Sequence, residues 1–215
     1  MPSVVVCIPE LQILGKSVER KREIYVIGLA TDNRGKDPKR GEAPIAAYNE
    51  TLANVAPEVQ KAAVLQYALI SVSNIFPRIR KDQKISLSGS GILIYPNLDP
   101  MGMLATHFVV VESDAGTRNL GNMLDGILND ESVKSVVKLL AAGITQPLLA
   151  ALMTGLIGQI PSVLKKNRDD LLFAHNHSGF DFDDYGLRPG EIQSDYSVGN
   201  DRAHCVLRVR VNKTA

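Results

Sequence analysis

The chain has 215 residues, 45% of them hydrophobic, with 24 Lys and Arg against 23 Asp and Glu for a net charge of +1. That size and apolar content fit one globular domain, or one domain carrying a large insertion. The near-zero charge, an aromatic content of 5% and the absence of Trp speak against the broad basic field and the stacking platforms of nucleic-acid binders.

In chain order, residues 3–9 form a β-branched run that predicts a strand closed by Pro9. Cys7 lies in this run, and Cys205 in a similar one near the other end. Both read as buried thiols acting as small hydrophobes, too few for a secreted disulfide framework. The first residues lack the basic segment and long apolar run of a signal peptide, which gives a cytoplasmic expectation. Residues 23–31 predict a second strand, and residues 32–50, with Gly35, Pro38, Gly41 and Pro44, a long loop. Residues 57–76 mix signals. Val64, Ala68, Val72 and Phe76 have helical spacing, while Ile70 to Phe76 is β by composition; a helix giving way to a strand is expected.

Residues 84–88 and 91–95 predict short strands around Gly89-Ser90-Gly91, which reads as a hairpin turn, and Tyr95 to Pro100 reads as a turn. Residues 103–112 predict a strong strand with Phe108-Val109-Val110-Val111 at its centre; His107, just before it, reads as structural. Helical character begins at Asp114, a cap for a helix to about Asn129 with Leu120, Met123, Leu124, Ile127 and Leu128 on one face. Ser132 caps another, and Gln146 to Gly158 and Ile160 to Lys166 read as further short pieces. The uncharged run from Leu139 to Leu164 exceeds the ~20 residues that cross a bilayer. Its Pro147, Pro161, Gln146 and Gln159 favour buried helices instead. Lys165, Lys166 and Arg168 at its end leave open an insertion that meets anionic headgroups. Strand character returns at Leu171 to Ala174, an acidic Gly-containing loop runs to about Asp201, and residues 203–211 alternate as a half-buried strand. The expected fold is α+β: an antiparallel β-sandwich of C2 or jelly-roll type from 1–113 and 169–215, with a helical insertion at 114–168.

The chemistry concentrates in Ala174 to Gly186, which holds His175, His177, Asp181, Asp183 and Asp184. Three readings stand. The aspartates can cap turns in a solvated loop. Asp181 and Asp183, two apart and so on one face, can join Asp184 around Ca²⁺, which takes clustered oxygen ligands. His175 and His177 can hold Zn²⁺ or another transition metal with an aspartate or His204 as third ligand.

Asp32-Asn33-Arg34-Gly35-Lys36-Asp37-Pro38, taken with the Asp-Phe-Asp of Asp181 to Asp183, resembles the paired calcium loops of C2 domains. The resemblance implies that Asp32 and Asp37 join Asp181 and Asp183 around the ion, and that docking to a membrane surface or a partner is the output. The function expected is therefore a non-enzymatic, Ca²⁺-binding β-sandwich serving as a binding or assembly module through a protein partner or self-association. The rivals are a metal-dependent hydrolase, with His175, His177 and Asp183 as ligands and Asp184 as general base, and a membrane-active effector whose helical insertion refolds onto lipid.

Overall fold

The computed structural model describes residues 3–14, 22–32, 68–89, 91–98, 104–113, 146–167, 170–177, 196–199 and 203–212. In them are ten strands and one helix: β1 (Ser3–Ile13), β2 (Arg22–Asp32), β3 (Ala68–Val72), β4 (Phe76–Ile79), β5 (Lys84–Ser86), β6 (Ile92–Leu98), β7 (Leu104–Ser113), α1 (Gln146–Asn167), β8 (Asp170–His177), β9 (Tyr196–Gly199) and β10 (Ala203–Asn212). All strand pairings are antiparallel and form two sheets. The first has the order β5-β1-β10-β9 with β6 also on β1; the second has the order β3-β2-β7-β8 with β4 also on β2.

Strand alternation explains the layers. On β2, Ile24, Val26 and Ala30 join Val6, Ile8, Leu11 and Ile13 of β1, Ile94 and Tyr95 of β6, and Phe108 and Val110 of β7 in one buried cluster. That cluster lies between the two sheets and makes the arrangement sandwich-like. The alternate residues of β2 and β7, among them Tyr25, Ile27, Leu29, Val109 and Val111, pack against α1 on the other face. β2 and β7 are therefore apolar on both sides, as strands covered on both faces must be. The face of α1 that covers them is Leu152, Met153, Leu156, Ile160, Val163 and Leu164, a 3–4 residue spacing typical of an amphipathic helix.

Four expectations are corrected. First, Pro9 does not close β1: the strand runs on to Ile13, with a register shift between Cys7 and Glu10. A bulge is where a residue without an N–H fits into a ladder. Second, Gly89-Ser90-Gly91 is not a hairpin turn. β5 and β6 do not pair with each other; both pair antiparallel with β1, at Glu10 to Gln12 and at Val4 to Ile8. They act as one edge strand interrupted opposite Pro9, whose carbonyl accepts the Leu87 N–H at 2.8 Å. Gly89 and Gly91 take φ of 68° and 72°, and a Cβ on Gly91 would collide with the Ile8 carbonyl, so the jog needs glycine there. Third, Pro96 and Asn97 lie within β6 rather than in a turn, which an edge strand allows. Fourth, residues 146–167 form one continuous helix with Pro161 inside it, in place of separate pieces.

Of the mixed segment 57–76, residues 68–72 and Phe76 are strand. Residues 57–67 and the helices expected between 114 and 145 lie outside the described residues. β9 falls where only loop was expected. β1 pairs with β10 along most of its length, which puts Cys7 and Cys205 on neighbouring strands. Register separates them, however: Cys7 lies opposite Arg208 and Cys205 opposite Leu11. No helix among the described residues is long and apolar enough to cross a membrane.

Candidate functional site

β2 and β8 both run antiparallel to β7, one on each side of it, so they run parallel to each other. Two strand spacings separate them, about 10 Å. β2 ends at Asp32, opposite Leu104; β8 ends at His177, opposite Thr106. β2 and β8 therefore finish at the same end of the sheet. By sequence, Asp37 follows β2, and Asp181, Asp183 and Asp184 follow β8. Those four aspartates lie outside the described residues, and Asp32 and His177 are placed by backbone register alone. Among the described residues no three His, Cys, Asp or Glu side chains come together as a metal site. His204 lies opposite Gln12 in the other sheet.

The His-Asn-His segment is strand, since β7 extends its ladder as far as His177. His175 is opposite Phe108 and His177 opposite Thr106, two positions that share a face of β7. The half-buried His175 ring lies against Phe108, with centroids 5.4 Å apart and planes tilted by 47°. Phe108 in turn meets Phe173 at 5.8 Å. By backbone register the two histidines hold same-face positions of β8, opposite Phe108 and Thr106.

His107 occupies the opposite, helix-covered face. It is 4% exposed, and among the described residues neither ring nitrogen has a hydrogen-bond partner. Thr31, 2% exposed, has an equally unpartnered Oγ1. His107 lies beside Leu29 and Thr31 beside Ala105, so the two are diagonal neighbours on adjacent strands. Burial, and then the nearby His175 imidazole, lower the His107 pKa from 6.5 to about 4, while the His175 backbone pulls weakly the other way. At neutral pH this ring is uncharged, offering one N–H and one lone pair. By sequence His107 reads as structural, and Thr31 carries no motif. The available signal was the polar residue interrupting an apolar period on each strand.

A cleft of about 410 Å³ opens on the flank where β3 and β4 face the β5–β6 break, lined by Ser71, Ser73, Asn74, Phe76, Ser88 and Leu93 among others. The Ser73 hydroxyl is already engaged: it accepts the Val26 N–H at 2.9 Å and donates to the Asn74 carbonyl at 2.8 Å. Among the described residues that line the cleft there is no acid, base or thiol to serve in proton transfer.

No family model matches the sequence, and no curated protein matches it. Among solved structures, human GIVD cytosolic phospholipase A2 in complex with methyl gamma-linolenyl fluorophosphonate is similar at a TM-score of 0.38 and 9% identity. The match covers 100% of this chain and 17% of that chain, and a likeness at this level carries no argument about fold or function.

Proposed function

We propose that the protein is a divalent-cation-binding β-sandwich of C2 or jelly-roll type that works as a binding or assembly module, with Ca²⁺ held by its acidic loops. The observation that supports this reading is the parallel course of β2 and β8 on either side of β7, which finishes both strands at one end of the sheet, ahead in sequence of Asp37 after β2 and of Asp181, Asp183 and Asp184 after β8. Carboxylates from two such loops form the oxygen-rich cage that a hard cation takes.

A ligand that binds only the folded state stabilises it by RT ln(1 + [L]/Kd), about 2.7 kcal/mol at a hundredfold excess over Kd. The melting temperature is expected to rise in millimolar Ca²⁺ and to fall back with chelator, and Asp183→Asn to blunt the rise. Identical melts in Ca²⁺ and chelator would remove the reading.

A second reading has one specific observation in its favour: the register of His175 and His177 on one face of β8. Imidazoles prefer Zn²⁺ or a related transition metal, and with Asp183 as third ligand and Asp184 as base they would make a hydrolytic centre. Metal analysis of the purified protein separates the two, because stoichiometric zinc lost on His175→Ala would select the second.

A further inference from the structure

Among the described residues, β3 and β4 form one edge of the second sheet, and β5 and β6 one edge of the first. Both edges are interrupted at the cleft, which residues from each of them line. β5 and β6 part at residues 87–91, opposite Pro9. β3 leaves its ladder at Ser73. The Ser73 N–H donates to the Val26 carbonyl at 2.9 Å, but the Val26 N–H donates to the Ser73 hydroxyl in place of its carbonyl. The chain turns away through Asn74 and Ile75 before β4 begins at Phe76.

The bond from Ser73 to Val26 fixes the direction of the backbone groups along β3. Residues of an antiparallel pair alternate between those bonded to the neighbour and those turned away from it. Ser73 and Val26 continue the register in which Ile27 lies opposite Val72, Gly28 opposite Ser71 and Leu29 opposite Ile70. Ser71 therefore bonds to β2, and the N–H and C=O groups of Ile70 and Val72 point to the outer edge. No hydrogen bond among the described residues reaches them. Sheet edges are commonly blunted by proline, charge or a bulge. β4 is blunted in this way: exposed Pro77 has no N–H, and Pro77 and Arg78 oppose the single residue Glu23, with Arg78 at a φ of 59°. β3, Ala-Leu-Ile-Ser-Val, carries no such device, and its register with β2 is unbroken.

We propose that the outer edge of β3 takes an extended, uncharged peptide segment of a partner protein as an added strand, with one apolar side chain of that segment seated in the cleft. The chemistry of the surface names the occupant. Open N–H and C=O groups at strand spacing are complemented by another extended backbone. The cleft offers Val72, Phe76, Leu87, Ile92 and Leu93, the last 40% exposed, and its polar groups are neutral hydroxyls and an amide. A charged side chain would lose its hydration there without a counter-charge. A second copy of this chain is the poorer occupant. β3 spans five residues, about 17 Å, and Pro77 stops the edge beyond it. Two copies paired there would bury less than the ~1,200 Å² of a stable interface. The cleft lies by Val72, opposite Ile27 and away from the Asp32 end of β2, so the proposal stands apart from the cation reading.

Capped peptides Ser-Thr-Val-Xaa-Val-Thr-Ser, with Leu, Phe, Ala or Asp at Xaa, test it against the full chain by amide NMR. The Leu and Phe peptides are expected to shift the Ile70 and Val72 amides and to slow their exchange. Asp at the centre should weaken binding at least about tenfold. N-methylation of alternate peptide residues should abolish binding in one of the two phases only, since one set of peptide N–H groups faces β3. Ile70→Pro deletes an outward N–H and spares the β2 ladder, as an edge strand allows. It should lose the peptide, while Ile70→Ala, which gives up similar side-chain packing, should keep it. No shift with any peptide at about 1 mM, equal binding in both N-methyl phases, or native binding by a folded Ile70→Pro overturns the proposal. So does dimerisation of the native chain that Ile70→Pro abolishes, which would give the edge to a second copy. If Ile70→Pro does not fold, the N-methyl pair decides alone, because it leaves the protein untouched.

Discussion

At the scale of single residues, His107 is a buried polar group whose two ring nitrogens have no hydrogen-bond partner among the described residues. With only the His175 backbone opposing it, desolvation of that ring costs about 1–3 kcal/mol, as for a buried polar group. Its protonation adds a pH dependence whose sign follows from the depressed pKa. The unfolded chain binds the proton near 6.5 and the folded chain only near pH 4. Stability is therefore full above about pH 6.5 and drains as pH falls toward 4, by roughly 3 kcal/mol for a shift of this size. His107→Leu is expected to raise the melting temperature at pH 7 and to flatten its decline between pH 6.5 and 4; a parallel decline in both proteins would show that another group drives the acid limb. Little of this was legible beforehand. A histidine before Phe108-Val109-Val110-Val111 read as structural, but its missing partners depend on which strands flank β7. Gly28 is similar. A Cβ there would stand 2.6 Å from Ser71 Oγ and 2.7 Å from Ile94 Cδ1, a packing constraint set by residues 43 and 66 positions away that no local pattern reveals.

At the scale of elements, local pattern carried well where one period dominated. β2, β7 and β10 lie within a residue of their expected bounds at every end, because β-branched runs flanked by polar residues admit one reading. It failed where proline or glycine punctuates a strand or helix that tertiary contacts sustain. Pro9 and Pro96 sit in strands, and Pro161 sits in α1, where it removes one backbone hydrogen bond from an exposed position. The helix persists because Leu156, Ile160 and Leu164 are buried on both sides of the break against β2 and β7. Tertiary burial, not local propensity, decides such helices. Leu156, with no exposed surface, is the central test. Leu156→Ala is expected to cost about 2–5 kcal/mol, read from denaturant midpoints. A loss below 1 kcal/mol would mean that α1 rests loosely on the sheet and that the sandwich-like pair is stable without it. The same burial counts against α1 leaving the sheet for a bilayer.

At the scale of the whole molecule, the first sheet is closed by strands from opposite ends of the sequence. β10 bonds β1 on one side and β9 on the other, so it is interior to its sheet. The apolar runs at residues 3–9 and 203–211 marked the two strands but left open whether they pair; the pairing, the register and the offset of Cys7 from Cys205 came only with the structure. The candidate site divides the same way. Alternation alone puts His175 and His177 at same-face positions of one strand, while the common end of β2 and β8 needed the strand order β2-β7-β8. Removing residues 203–215 tests how far this closure holds the fold. The deletion strips the ladder from Ser3 to Ile13 of β1 and leaves β9 without its partner. It also opens one side of the cluster that holds Val6, Ile8, Leu11 and Ile13, whose burial is worth roughly 1.5–3 kcal/mol per side chain. Against a total of ~5–15 kcal/mol, exposing even part of that cluster consumes most of the folding free energy. The shortened chain is expected to show no cooperative melt. Cys7, with no exposed surface in the intact protein, should then react with a thiol reagent at the rate of an unfolded chain, whereas in the full chain it should stay protected until denaturant is added. A cooperative melt of the shortened chain with Cys7 still protected would place the stabilising core in the β2–β7–α1 half alone, and would make the first sheet an accessory layer.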